Sequence, residues 1–210
     1  MERRSREEIV EEILKAAIKC KYEAGINDVQ VTQIAAKASI STRTLNRYFP
    51  DKEEMIATAS LKYLRDQYEE IVEEYSKLED LDQMNGLERL IRFLGMRINH
   101  YLSDMNYAVV FVDANINCIR SGVRKDTFNV YLGAETRKLV LEDLSLGIKD
   151  GSIRADIDVE VVSALLSSSF NGLMQRMIFV LRTSQMEEKK KQTKQIFVEY
   201  VAMVKKFLQP

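Results

Sequence analysis

With 210 residues, 46% of them apolar and 30% charged, the chain has the composition of an ordinary folded protein of one or two domains, which excludes a disordered chain. Its two prolines are Pro50 and the terminal Pro210, so none interrupts the stretch between them and the whole reads as all-α. The formal net charge of -1 excludes an overall basic field, so any nucleic-acid contact must rest on a local cluster.

The opening Met1-Glu-Arg-Arg-Ser-Arg is charged and leads into no apolar run of signal-peptide or membrane-span length, which predicts a cytoplasmic protein with no membrane partner. From Arg6 to Ala24, Ile9, Ile13, Ala17 and Cys20 recur at helical spacing before Gly25, giving a first helix. After the turn Gly25-Ile-Asn-Asp, a short second helix is expected from about Val31 to Ala38, with Ile34, Ala35 and Ala38 inward. Ser41 stands in N-cap position before a third helix, Thr42 to Phe49, which Pro50 ends. Asp51, with Glu54 three residues on, forms a capping-box pattern for a fourth helix running past Tyr63. Between Val31 and Lys52 the basic residues are Lys37, Arg43, Arg47 and Lys52 and the only acid is Asp51, so this segment is locally positive.

Two short helices joined by a tight turn can present the second to the major groove while the first braces it. Helices two and three have that spacing. The run Val31-Thr-Gln-Ile-Ala-Ala-Lys-Ala-Ser-Ile-Ser-Thr-Arg-Thr-Leu-Asn-Arg-Tyr-Phe-Pro-Asp-Lys-Glu-Glu-Met55 resembles the DNA-binding signature of the tetracycline-repressor (TetR) family. The resemblance covers roughly the first 65 residues. It implies an N-terminal three-helix helix-turn-helix domain (residues 5–65) followed by a helical-bundle ligand-sensing and dimerisation domain (66–210). It also implies a regulator of transcription that binds double-stranded operator DNA, in most such proteins a repressor released by a small apolar or amphipathic ligand.

Carried over by position, the resemblance implies that Thr42, Arg43 and Asn46 face base edges, while Thr44, Arg47, Tyr48 and Lys52 contact phosphates. The chemistry agrees: Arg donates two hydrogen bonds to guanine, Asn pairs bidentately with adenine, and Lys52 adds charge at the start of a helix, where free amides favour a phosphate. A packing role accounts for Leu45 and Phe49. Four positions depart from the family's pattern: Ser39 replaces the usual turn glycine at some cost in strain, Arg43 a small residue, Asn46 a frequent tyrosine, and Gln30 a Ser or Thr cap, so that no phosphate role is carried over to Thr32. Base preference therefore cannot be borrowed from relatives.

Beyond the fourth helix, Gly86, Gly122, Gly151 and the charged stretch near Glu187 divide the chain into long helices, the pattern of a bundle. In Asp150-Gly-Ser-Ile-Arg-Ala-Asp-Ile-Asp158, Gly151 is placed for a positive backbone angle and Asp158 for a cap. Pocket candidates are Phe93, Met96, His100, Tyr101, Tyr107, Phe111, Asn115, Phe128, Tyr131 and Met174, all of which read equally as core. Arg97 and Asp113 fit a solvated face as well as a pocket. Ala164, Ser168 and Gly172 lie in line on the penultimate helix. The last helix carries one apolar stripe of Ile196, Tyr200, Met203 and Phe207 beside another of Phe197, Val201, Val204 and Leu208, more than one neighbour needs. This surface is read as a four-helix homodimer interface, two helices from each subunit, which matches the pattern the resemblance implies; the alternative is that both helices close the monomer's own core.

Cys20 and Cys118 lie in apolar periodic stretches without CxxC spacing and read as buried thiols. One histidine, no metal-ligand spacing, no phosphate-binding glycine loop and no nucleophile motif leave no catalytic, metal or cofactor site to expect, which argues against an enzyme. A rival reading keeps the DNA-binding head and makes the bundle a docking surface for another protein.

Overall fold

A computed structural model describes residues 4–24, 29–103, 107, 109–111, 113–114, 134–183 and 187–210. Among them the regular structure is helical and no strand occurs. The chain divides into two compact units, Met1–Gln67 with Val109–Leu132, and Tyr68–Ala108 with Gly133–Pro210.

In the first unit, α1 (Arg6–Ala24), α2 (Val31–Lys37), α3 (Thr42–Tyr48) and the first part of α4 (Lys52–Ser76) enclose a small apolar core. The inward residues of α1 recur every three to four positions, and Ile13, Ala17 and Cys20 are buried as that spacing requires. They meet Ile34, Leu45, Met55, Leu61 and Leu64, all buried, one or more from each of the other three helices. Burial raises the Cys20 thiol above its ordinary range, so it behaves as an apolar core group. Cys118 lies outside the described residues.

Caps fix where these helices begin. Ser5 Oγ accepts the Glu8 amide at 3.1 Å while the Glu8 carboxylate accepts the Ser5 amide at 2.6 Å, a reciprocal box at the head of α1. Gln33 reaches back to accept the Gln30 amide at 3.1 Å, which gives α2 a cap without a Ser or Thr. Lys62 bridges Asp66 at 2.7 Å and Glu11 at 3.3 Å and so ties α4 to α1.

The second unit contains the rest of α4, a 3-10 turn at Leu81–Gln83, α5 (Gly86–Ser103), α6 (Ala134–Asp150), α7 (Val159–Thr183) and α8 (Glu187–Leu208). Asn85 and Glu88 cap α5 reciprocally at 2.9 and 3.0 Å. The loop after α6 closes on the same end: Asp150 accepts the Gly86 amide at 2.8 Å and Ser152 Oγ the Leu87 amide at 3.1 Å. Helices α5 and α6 touch almost backbone to backbone there, since a Cβ built on Gly86 would lie 2.1 Å from the Gly147 nitrogen.

Gly151 takes φ +78° as expected, and Asp158 accepts the amides of Glu160 and Val161 at 2.9 and 3.2 Å, starting α7. Deeper in the unit, Tyr75 donates to Asp143 at 2.9 Å and Tyr101 donates to the Met174 carbonyl at 2.8 Å, two buried hydrogen bonds that link helices. Among the described residues no helix is long and apolar enough to cross a membrane.

Candidate nucleic-acid interface

The turn between α2 and α3 sets the site. Ile40 donates to the Ala35 carbonyl at 3.0 Å and Ser39 to the Ala36 carbonyl at 3.1 Å, the two bonds of a Schellman stop. That motif demands a left-handed residue, and Ser39 supplies it at φ +53°, the only positive value outside glycine among the described residues. The strain expected of a serine in place of glycine is therefore present. Ser41 then caps α3, accepting the Thr44 amide at 3.1 Å.

Burial of Leu45 fixes the rotation of α3. With Leu45 only 1% exposed, Arg43, Asn46 and Arg47 come out together on the opposite face, and all three are exposed. Thr42, Thr44, Tyr48 and Lys52 are half-buried around them. The Thr44 hydroxyl lies 2.9 Å from Ser41 Oγ and so shares in the cap. The Arg47 guanidinium stands 5.4 Å from the centroid of the Tyr48 ring. Neither Arg43 nor Arg47 is ion-paired among the described residues, whereas Lys37 is held by Glu23 at 2.9 Å, a hydrogen bond that raises its pKa. The positive charge available on this surface is therefore that of the arginines more than of Lys37.

One expectation needs amending. The start of α4 is no ready acceptor of phosphate, because Asp51 already takes the amides of Glu53 and Glu54 at 2.7 and 3.1 Å.

The pocket candidates of the second half fall into separate places. Phe93 is buried edge-on to Tyr75, with ring centroids 5.1 Å apart. His100, Tyr101 and Tyr107 form an edge-to-face cluster, with Tyr107 lying 5.1 Å from His100 and 5.9 Å from Tyr101. Burial raises the phenols of Tyr101 and Tyr107 above the usual range, and the nearby Tyr68 hydroxyl adds to the effect. Met174 is fully buried beneath Tyr101. Met96 is half-buried and lines an open groove of about 1000 Å³ between α5 and α8, with Ile91, Gly95 and Val201. Phe111 is buried and belongs to the first unit, as does Asp113, which pairs with Lys21 at 2.9 Å. Asn115, Phe128 and Tyr131 lie outside the described residues. Arg97, which the sequence left ambiguous, is buried.

Among the described residues no cluster of metal-ligating side chains occurs. The described large apolar side chains that stand strongly exposed all lie on the last two helices: Val161 and Leu165 on α7, and Val198, Met203 and Phe207 on α8. Ala164, Ser168 and Gly172 are exposed on α7 as well. On α8 the inward stripe is Phe197, Tyr200, Val204 and Leu208, so Tyr200 belongs with this set and Met203 and Phe207 turn outward.

Comparison with known proteins agrees with this arrangement. The chain is 29% identical over 158 residues to the HTH-type transcriptional repressor KstR2 of Rhodococcus jostii (strain RHA1), which covers 74% of this chain and 72% of that protein. In fold it is similar to a putative transcriptional regulator from Saccharomonospora viridis in complex with choline, with TM-score 0.67, 18% identity, and 94% of this chain and 97% of that one covered. It is also similar to the transcriptional regulator FadR from Bacillus subtilis in complex with stearoyl-CoA, with TM-score 0.60, 18% identity, and 91% and 96% covered. Residues 13–59, which span the buried side of α1, the Ser39 turn, the exposed face of α3 and the start of α4, match the family described as bacterial regulatory proteins, tetR family.

Proposed function

We propose that this protein is a cytoplasmic repressor that binds operator DNA as a homodimer and is released by a small apolar or amphipathic ligand. The DNA-binding domain is residues 5–65 and the sensing and dimerisation domain residues 66–210. The observation that carries the reading is the outward face of α3, where two guanidiniums, neither ion-paired among the described residues, and an amide stand together on a helix pinned by Leu45. Thr42, Arg43 and Asn46 read base edges in the major groove, and Thr44, Arg47, Tyr48 and Lys52 hold phosphates. Similar proteins bound to choline and to stearoyl-CoA support a ligand that is small or amphipathic.

Two recognition helices bind two half-sites when they stand roughly 34–36 Å apart. A ligand that prefers the protomer arrangement with another spacing lowers DNA affinity by the same factor by which DNA lowers ligand affinity. Helix α4 is the element through which that linkage runs, because it is continuous from Lys52 to Ser76.

The test is fluorescence anisotropy on DNA fragments recovered by selection from the genome, with competitor DNA and at two salt concentrations. Wild-type protein is expected to bind one fragment saturably. Arg43→Ala is expected to lose about 1–3 kcal/mol of specific affinity while its unselective binding changes little. Equal specific affinity in the variant would remove Arg43 from the recognition face, and failure of every selected fragment would overturn the regulator reading.

A further inference from the structure

Helix α5 buries a stripe of Leu90, Phe93, Leu94, Ile98 and Tyr101, and Arg97 lies within that stripe, only 8% exposed. Its guanidinium stands 4.1 Å from the centroid of the Phe170 ring and 5.6 Å from that of Tyr68. Tyr107, itself buried, lies 6.4 Å from Tyr68 and extends the ring wall. A guanidinium presents five N–H donors in a rigid plane, yet among the described residues none of those of Arg97 finds a carboxylate, carbonyl or hydroxyl acceptor. The buried carboxylate of this unit, Asp143, is committed to Tyr75.

Two ring faces are a poor substitute for a counter-ion. A cation over an aromatic ring gains about 2 kcal/mol when desolvated, whereas removing a full charge from water costs several kcal/mol unless an opposite charge and hydrogen bonds replace the water. Arg is also the side chain whose fork matches an oxyanion bidentately, and apolar ring walls strengthen such a pair by excluding solvent. Among the described residues this cation has ring walls and no anion beside it. An opposite charge would complete an ion pair there, and a ligand is a natural carrier of one in a domain that senses a ligand.

We propose that Arg97 receives an oxyanion carried by the sensed ligand, so that the ligand class is an apolar, preferably aromatic, body bearing a carboxylate or a chemically equivalent acidic group. This rests on the ligand-sensing reading above. It narrows that reading to acids, and it excludes neutral and cationic effectors as tight binders of this site.

Two fluorescent probes that differ only in the acid test it: anilinonaphthalene sulfonate, and the neutral phenylnaphthylamine of the same skeleton. Wild-type protein is expected to bind the sulfonate at one saturable site per chain, about tenfold or more tighter than the neutral probe. Arg97→Met keeps the volume and removes the buried charge, so it is expected to melt at the same temperature or a higher one while losing the preference for the acid. Arg97→Lys, which keeps a point charge but not the fork, is expected to fall between. Equal affinity of the wild type for both probes, no saturable sulfonate site, or a folded Arg97→Met that retains the preference would each overturn the assignment. A purely structural role would show as a lower melting temperature in Arg97→Met with the preference intact. DNA binding is measured on the same samples, so loss of operator binding with the acid preference intact counts against the regulator reading alone, and the converse counts against Arg97 alone.

Discussion

Ser39 holds a conformation that costs an L-residue about 1–2 kcal/mol and costs glycine almost nothing. Relief of that strain by glycine is partly offset, since glycine gives up more freedom on folding. The net expectation is that Ser39→Gly stabilises the protein by roughly 0.5–1 kcal/mol, read as a higher urea midpoint at unchanged slope. A lower midpoint would mean that the serine side chain makes a contact worth more than the strain. At this scale much was legible in the residues alone: the strained turn, the Ser41 and Asp158 caps and the outward trio of Arg43, Asn46 and Arg47 all follow from local chemistry. The boxes Ser5 to Glu8 and Asn85 to Glu88 carry the same signature in their residue types and spacing. Arg97 and Asp113 were not legible as buried or paired, because an isolated charge in a sequence does not reveal whether its helix face is covered.

Helix pairs introduce a property that single residues lack. Where α4 and α6 meet, Asp143 is buried, and burial outweighs both the Tyr75 hydrogen bond and the charge of Arg89, raising its pKa to about 6. The folded state thus holds this proton more tightly than the unfolded chain does. Its contribution to stability is complete below the ordinary carboxylate pKa of 3.8 and is lost as pH rises through about 6. Asp143→Asn keeps an acceptor for Tyr75 and removes the titration. The variant is expected to match the wild type near pH 4 and to exceed it by about 2 kcal/mol above pH 7. Urea unfolding across that range decides it, and parallel pH profiles for the two proteins would show that Asp143 is not the titrating group. Periodicity gave the positions of these helices correctly but not always their rotation. On α8 two adjacent stripes are both apolar, so the pattern alone could not say that Val204 and Leu208 face inward while Met203 and Phe207 face out.

For the whole molecule the open question is what covers the apolar faces of α7 and α8. Single exposed apolar residues are unremarkable, but here Val161, Leu165, Met203 and Phe207 accompany exposed Ala164, Ser168 and Gly172, small residues that permit close helix approach. In a two-fold dimer each residue enters the interface twice, so one acidic substitution places two carboxylates there. Leu165→Glu combined with Met203→Glu is expected to weaken self-association by about 100-fold or more, giving monomers by light scattering at micromolar concentration with helix content unchanged. A variant that stays dimeric would place the interface elsewhere. The near-contact of Gly86 with Gly147 bears on how such a protein can change over generations. Every missense codon leaving Gly86 adds at least a Cβ where the neighbouring backbone already stands, so drift there pushes α5 off α6 before any other property can be selected. A change of ligand preference is therefore reached more readily through side chains elsewhere in the bundle than through this contact.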